Sequence, residues 1–367
     1  MVDRTVDFER IKASLADTAV SAGNGFVVCQ EDSLEALRRI PADSVNLILT
    51  DPPYHSTKKA NIYGDTAFNE DQQFLEWMER FTVEWKRILK ANGTVYLFCS
   101  TAMSARLELM MSQYFRPINH ITWSKPNEPG YDGWKGKMKK EALRTWYPHS
   151  ERILVFEHGT YGSRTASRRS PLGQYLLDCR KGAGMTAKQL TEAVGAYGKV
   201  NNGGAVSNWE AGRNIPSRDQ YNKMVVALES TGRIKPMLQY EDIVRPMNID
   251  PRTEFTDVWD FMSVRPFAGK HPAEKPQDML QHIIRTSSWE GDIVLDCFSG
   301  SGSTGVAARR ANRLAVCIDI DERWSERSAK EVAAAHPGED YQMPVRVSHL
   351  VRPKKTTDLN GVGGLFD

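Results

Sequence analysis

The stretch Ile293-Val294-Leu295-Asp296-Cys297-Phe298-Ser299-Gly300-Ser301-Gly302-Ser303-Thr304 joins an apolar run to a turn that contains two glycines. The apolar run predicts a buried strand, and the residues after Thr304 continue as a helix. Gly300 and Gly302 allow the backbone to come close to a ligand, and the first turn of a helix offers free amide groups to a carboxylate or phosphate. The pattern therefore predicts a ligand site at the carboxyl end of this strand.

A second strand and an acid follow that helix. Residues Leu314 to Ile318 are apolar, and Asp319 comes directly after them. Nucleotide-binding βαβ units place an acid at this distance, where it binds ribose hydroxyls. The stretch lacks a Gly-Lys-Ser/Thr phosphate loop, and its glycine spacing differs from the dinucleotide fingerprint. We therefore predict an adenosine-type ligand and expect neither ATP hydrolysis nor hydride transfer.

A second motif ends another buried strand much earlier in the chain. The run Val45-Asn46-Leu47-Ile48-Leu49 leads into Thr50-Asp51-Pro52-Pro53-Tyr54. The two prolines end the strand because neither can donate to a strand ladder. A carboxylate beside a phenol can hold a planar polar ring, through a hydrogen bond from an amino group and through stacking. Taken in isolation, Asp-Pro-Pro is also typical of an ordinary turn.

Composition sets broad limits on the protein. The chain has 367 residues, is 40% hydrophobic and carries a formal charge of +2, so a nucleic-acid surface would need local clusters of Lys and Arg. Its five cysteines have no CxxC spacing and are typical of buried residues in a reducing compartment. No apolar segment approaches the roughly 20 residues of a membrane span. We therefore expect a cytoplasmic protein that does not contact a membrane.

Alternating strand and helix patterns predict an α/β fold. Residues 1–24 are predicted to be a polar leader with a short helix, and Asp32 is predicted to cap a helix from Leu34 to Ile40. An aromatic helix ending at Ile88 is predicted to be capped by Asn92-Gly93, before a strand from Thr94 to Cys99.

The stretch from Lys125 to Trp146 interleaves cationic and aromatic residues. Lysines can neutralise phosphates while rings stack on bases, so this composition suits a nucleic acid. A solvated loop is the alternative interpretation. The lysines that we predict to contact DNA are Lys135, Lys137, Lys139 and Lys140.

The segment from Pro171 to Leu228 resembles the helix-turn-helix domain of phage repressors. The resemblance rests on a helix capped by Thr186, the run Ser207-Asn208-Trp209-Glu210 and the helix start at Ser217. In that family the third helix enters the major groove. The resemblance places a set of residues at or near DNA: Asn201, Asn202, Ala205, Ser207, Asn208, Arg213 and Arg218. The glycine-rich stretch Ala196 to Gly204 is longer than the family's turn, and a helical insert used only for packing or dimer contact is the alternative.

Taken together, the motifs resemble the β class of S-adenosylmethionine-dependent DNA amino-methyltransferases. That class has Asp-Pro-Pro-Tyr first, then a target-recognition region, then His-Pro-x-x-Lys-Pro, then Asp-x-Phe-x-Gly-Ser-Gly. This chain shows Asp51 to Tyr54, the insert, His271 to Pro276, and Asp296 to Gly302 in that order. The resemblance implies a Rossmann-like sheet with helices on both faces and a small all-helical target-recognition insert. It divides the chain into residues 1–159 (first catalytic part), 160–246 (insert) and 247–367 (second catalytic part).

The resemblance also implies roles for individual residues. Asp51 and the Pro52 carbonyl would bind the target amino group, with Pro53 in the same motif, and Tyr54 would stack on an extruded base. The residues implied to bind S-adenosylmethionine are Asp32, Asp51, Lys275, Asp296, Phe298, Gly300, Ser301, Gly302, Thr304 and Asp319. Within that set, Asp32 would lie near the adenine, Asp319 at the ribose and Lys275 at the methionine end. The chain departs from the family at Cys297, commonly Pro, and at Asp319, commonly Glu.

Members whose motif begins with Asp usually methylate adenine N6, so the expected activity is sequence-specific methylation of adenine in double-stranded DNA. A cytosine-N4 enzyme and a DNA-binding repressor with an inert methyltransferase fold are the alternatives. No metal is expected, because the sulfonium already supplies the leaving group. The class often forms homodimers, so a homodimer is expected. The sequence leaves open whether a cognate restriction endonuclease is a further partner.

Overall fold

A computed structural model describes residues 4–54, 68–125, 139–146, 149–158, 170–196, 204–250, 256–265 and 267–339. The strands are β1 Ala19–Gly23, β2 Phe26–Gln30, β3 Val45–Thr50, β4 Leu89–Cys99, β5 Phe115–Ser124, β6 Ser150–His158, β7 Val258–Asp260, β8 Ile293–Asp296 and β9 Leu314–Asp319. The α-helices are α1 Thr5–Ser14, α2 Ser33–Arg39, α3 Asp71–Ile88, α4 Ser104–Met111, α5 Pro171–Gly182, α6 Ala187–Val194, α7 Gly204–Glu210, α8 Arg218–Glu229, α9 Tyr240–Ile243, α10 Gln277–Ser287, α11 Ser303–Arg310 and α12 Glu322–Ala334. No helix among these is long and apolar enough to cross a membrane.

The nine strands form one sheet in the order β1-β2-β9-β8-β3-β4-β6-β5-β7. The five central strands, from β2 to β4 in that order, are mutually parallel. β1 pairs antiparallel with β2 at one edge, and β6 pairs antiparallel with both β4 and β5 near the other. The strands β8 and β3, which carry the two sequence motifs, are direct neighbours.

Helices cover both faces of the sheet, so the predicted Rossmann-like α/β architecture is confirmed. One apolar core contains Phe8, Leu37, Trp85 and Leu107 and packs α1 to α4 against one face. The other core packs α10 to α12 against the opposite face. Burying both faces explains why the central strands are continuous apolar runs.

Two local predictions need correction. The polar leader contains α1, a 3-10 turn at Ala16–Thr18 and the edge strand β1, whose short run of mostly small residues gives little strand signal. β4 begins at Leu89, which pairs with Val45, so Asn92-Gly93 lies inside the strand at a register irregularity instead of capping the helix. A Cβ at Gly93 would lie 2.9 Å from the Asn46 carbonyl oxygen, which explains the glycine in this strand.

The described part of the insert has its own apolar core. Leu176, Leu190, Val206, Trp209 and Tyr221 bring α5 to α8 together. A capping box starts α6 at Thr186, as the sequence predicts, and Ser217 caps α8 as predicted, there too with a full capping box. A buried ion pair between Arg180 and Glu210 joins α5 to α7.

The insert docks at the amino-terminal edge of the parallel strands. Arg4 bonds to Asp242 of the segment that returns from the insert at 2.6 Å and to Asp292, just before β8, at 2.7 Å. Asn92, near the start of β4, donates to the carbonyl oxygen of Glu241 at 2.8 Å. Asp51 follows the carboxyl end of β3, whose six residues span roughly 20 Å. The insert therefore lies at the amino-terminal ends of the parallel strands, and Asp51 lies at their carboxyl-terminal ends.

Candidate active site

The two motifs meet where β3 and β8 end. Thr50 donates its hydroxyl proton to the Asp296 carboxylate at 2.8 Å, and the Phe298 amide donates to the same oxygen at 3.1 Å. Burial raises the pKa of Asp296 to about 6, and the hydrogen bonds from Thr304, Thr50 and Phe298 only partly offset that rise. One buried carboxylate thus ties the end of β3 to the glycine-containing turn.

The turn after β8 requires glycine at Gly302. This residue has φ +81°, and a Cβ there would lie 2.5 Å from the Ser328 hydroxyl oxygen and 2.9 Å from the Ser328 Cα. Gly300, at φ +47°, faces the His271 ring, with a built Cβ 3.1 Å from the His271 Cε1. The chain therefore turns tightly into α11 and lets the His-Pro segment pack onto it.

Asp319 is bound to this turn. Its carboxylate accepts from the Gly300 amide at 2.7 Å and from the Asp321 amide at 2.9 Å. Burial is the main cause of a raised pKa at Asp319. Two amide bonds leave the carboxylate with further lone pairs, so a ribose-binding role stays a prediction.

Asp32 lies at the same edge of the sheet, since the adjacent Glu31 donates its amide to the Asp319 carbonyl at 2.9 Å. Its side chain is exposed and caps α2 by accepting from the Leu34 amide at 2.9 Å. The capping prediction is confirmed, and contact with an adenine ring stays a prediction.

A pocket opens between the two strand ends. It is lined by three groups of residues, from the end of β3, from the His-Pro segment and from the glycine turn. The predicted cofactor residues that line it are Asp51, Lys275, Asp296, Phe298, Gly300, Ser301 and Thr304. Gly302 shapes the turn beneath the pocket. Ser299 also lines it, and its buried hydroxyl has no hydrogen-bond partner in the part of the chain that the structure describes. An unbonded hydroxyl beside a glycine turn and a helix start fits the polar groups of S-adenosylmethionine.

Phe298 also packs into the protein core. Its half-buried ring lies 5.0 Å from the Phe81 ring and 5.6 Å from the Trp77 ring, both on α3. The aromatic face of α3 therefore supports the glycine turn.

Lys275, in the His-Pro segment, contacts Asp51 of the Asp-Pro-Pro-Tyr motif. Its ammonium forms an ion pair with Asp51 Oδ2, lies 3.6 Å from Glu151 Oε2 and donates to the Ala273 carbonyl at 3.3 Å. Only 8% of the Lys275 side chain is exposed. The sequence predicted that this lysine holds the methionine end of the cofactor, and the structure adds that it neutralises Asp51.

Glu151 is the residue that sequence reasoning missed. It lies on β6, accepts a hydrogen bond from the Tyr54 hydroxyl at 2.9 Å and forms an ion pair with Lys125. The available signal was an acid two residues ahead of the apolar run Ile153 to Phe156. Because β6 runs antiparallel to β4, the start of β6 lies beside the carboxyl ends of the parallel strands.

Opposite charges control the protonation of these buried groups. Burial raises the pKa of Asp51, and the Lys275 ammonium offsets only part of the rise. Burial acts in the same direction on Glu151, but the charges of Lys275 and Lys125 outweigh it and hold its pKa below the usual value. Burial lowers the pKa of Lys275, but Asp51 and Glu151 outweigh it and raise it. Glu151 and Lys275 are therefore both charged at neutral pH.

The structure gives different results for the residues predicted to bind DNA. Lys139 is exposed, and Lys140 begins the short 3-10 turn Lys140–Ala142. Arg213 is exposed, and Ser207 and Asn208 are half-buried. The remaining predicted side chains, at Lys135, Lys137, Asn201 and Asn202, lie outside the described residues.

Two other predicted DNA contacts are used inside the protein. Ala205 is only 3% exposed and belongs to the core of the insert, so its placement at the reading edge is wrong. Arg218 forms an ion pair with Glu241 and stacks 5.0 Å from the Tyr240 ring, both within the insert, and it lies 5.7 Å from the Trp289 ring outside it, so it docks the insert to the segment before β8. Within the described ranges no group of three or more His, Cys, Asp and Glu side chains could hold a metal ion.

Comparisons with known proteins show that the chain is similar to DNA methyltransferases. The chain is 27% identical over 341 residues to the DNA adenine methyltransferase YhdJ of Escherichia coli K12, covering 90% of this chain and 88% of YhdJ. It is 24% identical to the type II methyltransferase M.HpaI of Haemophilus parainfluenzae, covering 86% and 76% of the two chains. The solved structure of PvuII DNA methyltransferase, cytosine-N4-specific, matches with a TM-score of 0.50 at 15% identity and covers 89% of this chain and 91% of that one.

The family comparison spans both motifs and the insert between them. Residues 45–331 match the family named N6_N4_Mtase and described as DNA methylase. This range begins with β3 and ends within α12, so it includes every strand end that forms the pocket. The chain belongs to this family of DNA methylases.

Proposed function

We propose that this protein methylates adenine N6 in double-stranded DNA, with S-adenosylmethionine as the methyl donor. One observation carries the proposal: Asp51 lines the same pocket as the glycine turn that follows Asp296, in a chain that belongs to the DNA methylases. The name of the relative YhdJ, DNA adenine methyltransferase, favours adenine over cytosine.

Asp51 is suited to accept a hydrogen bond from an amino group. Its Oδ1 atom is buried and has no hydrogen-bond partner among the described residues, while Oδ2 is paired with Lys275. A buried acceptor without a partner is costly, so an incoming amino proton would find a strong site there. The Pro52 carbonyl is the proposed second acceptor for the same amino group.

These two acceptors would turn the amino nitrogen away from conjugation with the base, so that its lone pair becomes available for in-line attack. When bound, S-adenosylmethionine supplies a methyl group activated by a positive sulfur. The raised pKa of Asp51 also makes it a suitable acceptor for the proton that the nitrogen loses once it carries the methyl group.

Tyr54 is the proposed stacking platform for the target base. Its ring is half-buried beside the Lys275 ammonium, 5.3 Å from the ring centre, and its hydroxyl is held by Glu151. An enzyme that acts on a base inside a duplex must extrude it, and a fixed aromatic ring compensates part of the lost stacking.

The helical insert is the proposed second DNA-binding module. Support comes from the predicted helix order, from both capping boxes and from the exposed Arg213 after α7. Since the insert docks at the sheet edge opposite Asp51, we propose that it contacts duplex away from the extruded base. A homodimer and a cognate restriction endonuclease are proposed partners by analogy with the class, and light scattering with and without DNA tests the dimer.

Sequencing of host DNA that carries an expressed copy tests the activity. The wild-type protein should leave N6-methyladenine at one sequence context, and an Asp51→Ala variant of equal solubility should leave none. Digestion to nucleosides identifies the product by mass, and N4-methylcytosine in its place would overturn the choice of base. Absence of any modified base with the wild-type protein would favour a DNA-binding repressor.

A further inference from the structure

Four charged side chains form a charge cluster beneath Tyr54: Asp51, Lys125, Glu151 and Lys275. Lys275 pairs with Asp51 and approaches Glu151, and Glu151 pairs with Lys125, so two anions alternate with two cations. Only 16% of the Glu151 side chain and 14% of the Asp51 side chain are exposed. A buried and nearly continuous chain of ion pairs fixes the positions of its members, because breaking any one leaves an uncompensated charge.

We propose that Glu151 is a positioning residue for methyl transfer: it holds the Tyr54 ring directly and, through Lys275, fixes the Asp51 carboxylate. This inference rests on the proposed function. It adds a residue from an antiparallel strand to a site otherwise built from three sequence motifs.

Lys275 orients the Asp51 carboxylate. Lys275 bonds to Oδ2 alone, which leaves Oδ1 as the free acceptor. The ammonium is confined by the Phe98 ring at 5.0 Å and the Tyr54 ring at 5.3 Å. Glu151 lies on the other side of the same ammonium at 3.6 Å. Removing its charge would free Lys275 to shift and to rotate the Asp51 carboxylate.

Glu151 also holds the Tyr54 ring. Its hydroxyl donates to Glu151 Oε2, the oxygen that also faces Lys275. One carboxylate oxygen therefore sets both the plane of the stacking ring and the place of the cation. The sequence position of Glu151 on β6, far from Tyr54 along the chain, ties the catalytic loop to the rigid sheet.

Cofactor binding should depend less on Glu151 than Asp51 and Tyr54 do. The Lys275 ammonium pairs with Asp51, donates to the Ala273 carbonyl at 3.3 Å and lies 3.6 Å from Glu151. With these acceptors in place, loss of Glu151 should disturb Asp51 and Tyr54 more than it disturbs cofactor binding. That difference separates a positioning role from a role in holding S-adenosylmethionine.

The test uses the full-length protein with Glu151→Gln and Glu151→Ala, and measures single-turnover methylation separately from S-adenosylmethionine affinity. Glu151→Gln keeps an acceptor for Tyr54 but removes the charge, whereas Glu151→Ala removes both. We expect the methylation rate to fall roughly 100-fold for Gln and further for Ala, since small misplacements at a reacting centre have effects of that size. The dissociation constant for S-adenosylmethionine without DNA should stay within about twofold.

The matched control is Glu157→Gln. Glu157 lies at the far end of β6, carries ion pairs to Arg116 and Arg245, and is as buried as Glu151. Its substitution also breaks part-buried ion pairs in this strand, but it should leave the methylation rate within about twofold.

The pH dependence gives a readout that general destabilisation would not move. The charged and titratable groups around Asp51 are Lys275, which pairs with it, and Glu151 and Tyr54, which also act on its pKa. Lys125 pairs with Glu151, and Asp296 and Arg152 lie near the same cluster. The Glu151 charge raises the pKa of Asp51 and the Lys275 charge lowers it. The acid limb of the rate profile should therefore move to lower pH in Glu151→Gln and to higher pH in Lys275→Gln.

Three results would overturn the inference: a wild-type rate in Glu151→Gln, an S-adenosylmethionine affinity that falls in step with the rate, or an unmoved acid limb. If Glu151→Gln does not fold, Tyr54→Phe removes only the bonded hydroxyl, and a rate equal to wild type would overturn the Tyr54 part. A wild-type protein that methylates no DNA would instead refute the proposed function.

Discussion

Thr50 donates its hydroxyl proton to the carboxylate of Asp296 at 2.8 Å, across two neighbouring parallel strands whose sequences are almost 250 residues apart. Both residues are buried. The contact fixes the Asp-Pro-Pro-Tyr stretch after β3 relative to the glycine turn after β8. The two motifs therefore line one pocket.

The Thr50→Val substitution should weaken the link between the two motifs. Valine keeps the shape but leaves Asp296 with one donor fewer, and a hydrogen bond to a charged group contributes about 1.5–3 kcal/mol. We expect the free energy of unfolding in urea to fall by about that amount and the S-adenosylmethionine affinity to fall with it. Thr82→Val is the control, since Thr82 is equally buried but donates within α3 to the Met78 carbonyl. Equal losses in the two variants would contradict a special role for Thr50.

Gly302→Ala should weaken cofactor binding, because the added Cβ clashes with Ser328 in addition to straining the backbone. Its Cβ would meet Ser328 atoms at 2.5 and 2.9 Å, so α12 or the turn must shift. Gly232→Ala is the matched control because Gly232 has φ +67° and nothing within 4 Å of a built Cβ. The control should lose about 1–2 kcal/mol of stability from the left-handed angle. Gly302→Ala should lose more stability and also weaken S-adenosylmethionine binding, as calorimetry can measure.

Sequence reasoning located the parts of the site that depend on consecutive residues. The strand before Asp51, the turn around Gly302 and the acid at Asp319 each have a local signature, and the structure places all three at one edge of the sheet. The expectation of a DNA methyltransferase on a Rossmann-like sheet is confirmed.

Features that depend on pairing across the sheet could not be predicted in the same way. Glu151 became part of the site because β6 runs antiparallel, and no local pattern fixes the direction of a strand. The predicted helix cap at Asn92-Gly93 was wrong because the register irregularity between β3 and β4 is a tertiary feature. Arg218 had the sequence context of a phosphate ligand, but the structure uses it against Glu241 and Tyr240.

Asp296 should make stability depend on pH. Its pKa is about 6 in the folded protein and near 3.8 otherwise, so the native state binds the proton more tightly. The resulting stability is fully present below about pH 4 and is lost as pH rises through about 6. Asp296→Asn should therefore be more stable than wild type at pH 7, by up to about 3 kcal/mol, with the difference vanishing near pH 4. Urea denaturation at both pH values measures it, and a difference that is constant with pH would contradict the assignment.

Arg213 and Arg218 should respond differently in DNA binding. Arg213 is exposed on the insert and bonds only locally, to Asn208 Oδ1 at 3.0 Å, whereas Arg218 joins α8 to Glu241 and the Tyr240 ring. If the insert binds duplex, Arg213→Ala should weaken binding to all sequences alike and reduce the salt slope by about 1, because one phosphate contact is lost. Arg218→Ala should leave the salt slope unchanged and increase hydrogen exchange in α8 and α9, since the docking contact is lost. Binding titrations at several salt concentrations decide between the two roles. An unchanged slope in Arg213→Ala would remove the main support for DNA contact by the insert, and a reduced slope in Arg218→Ala would show that the docked arginine is released to a phosphate.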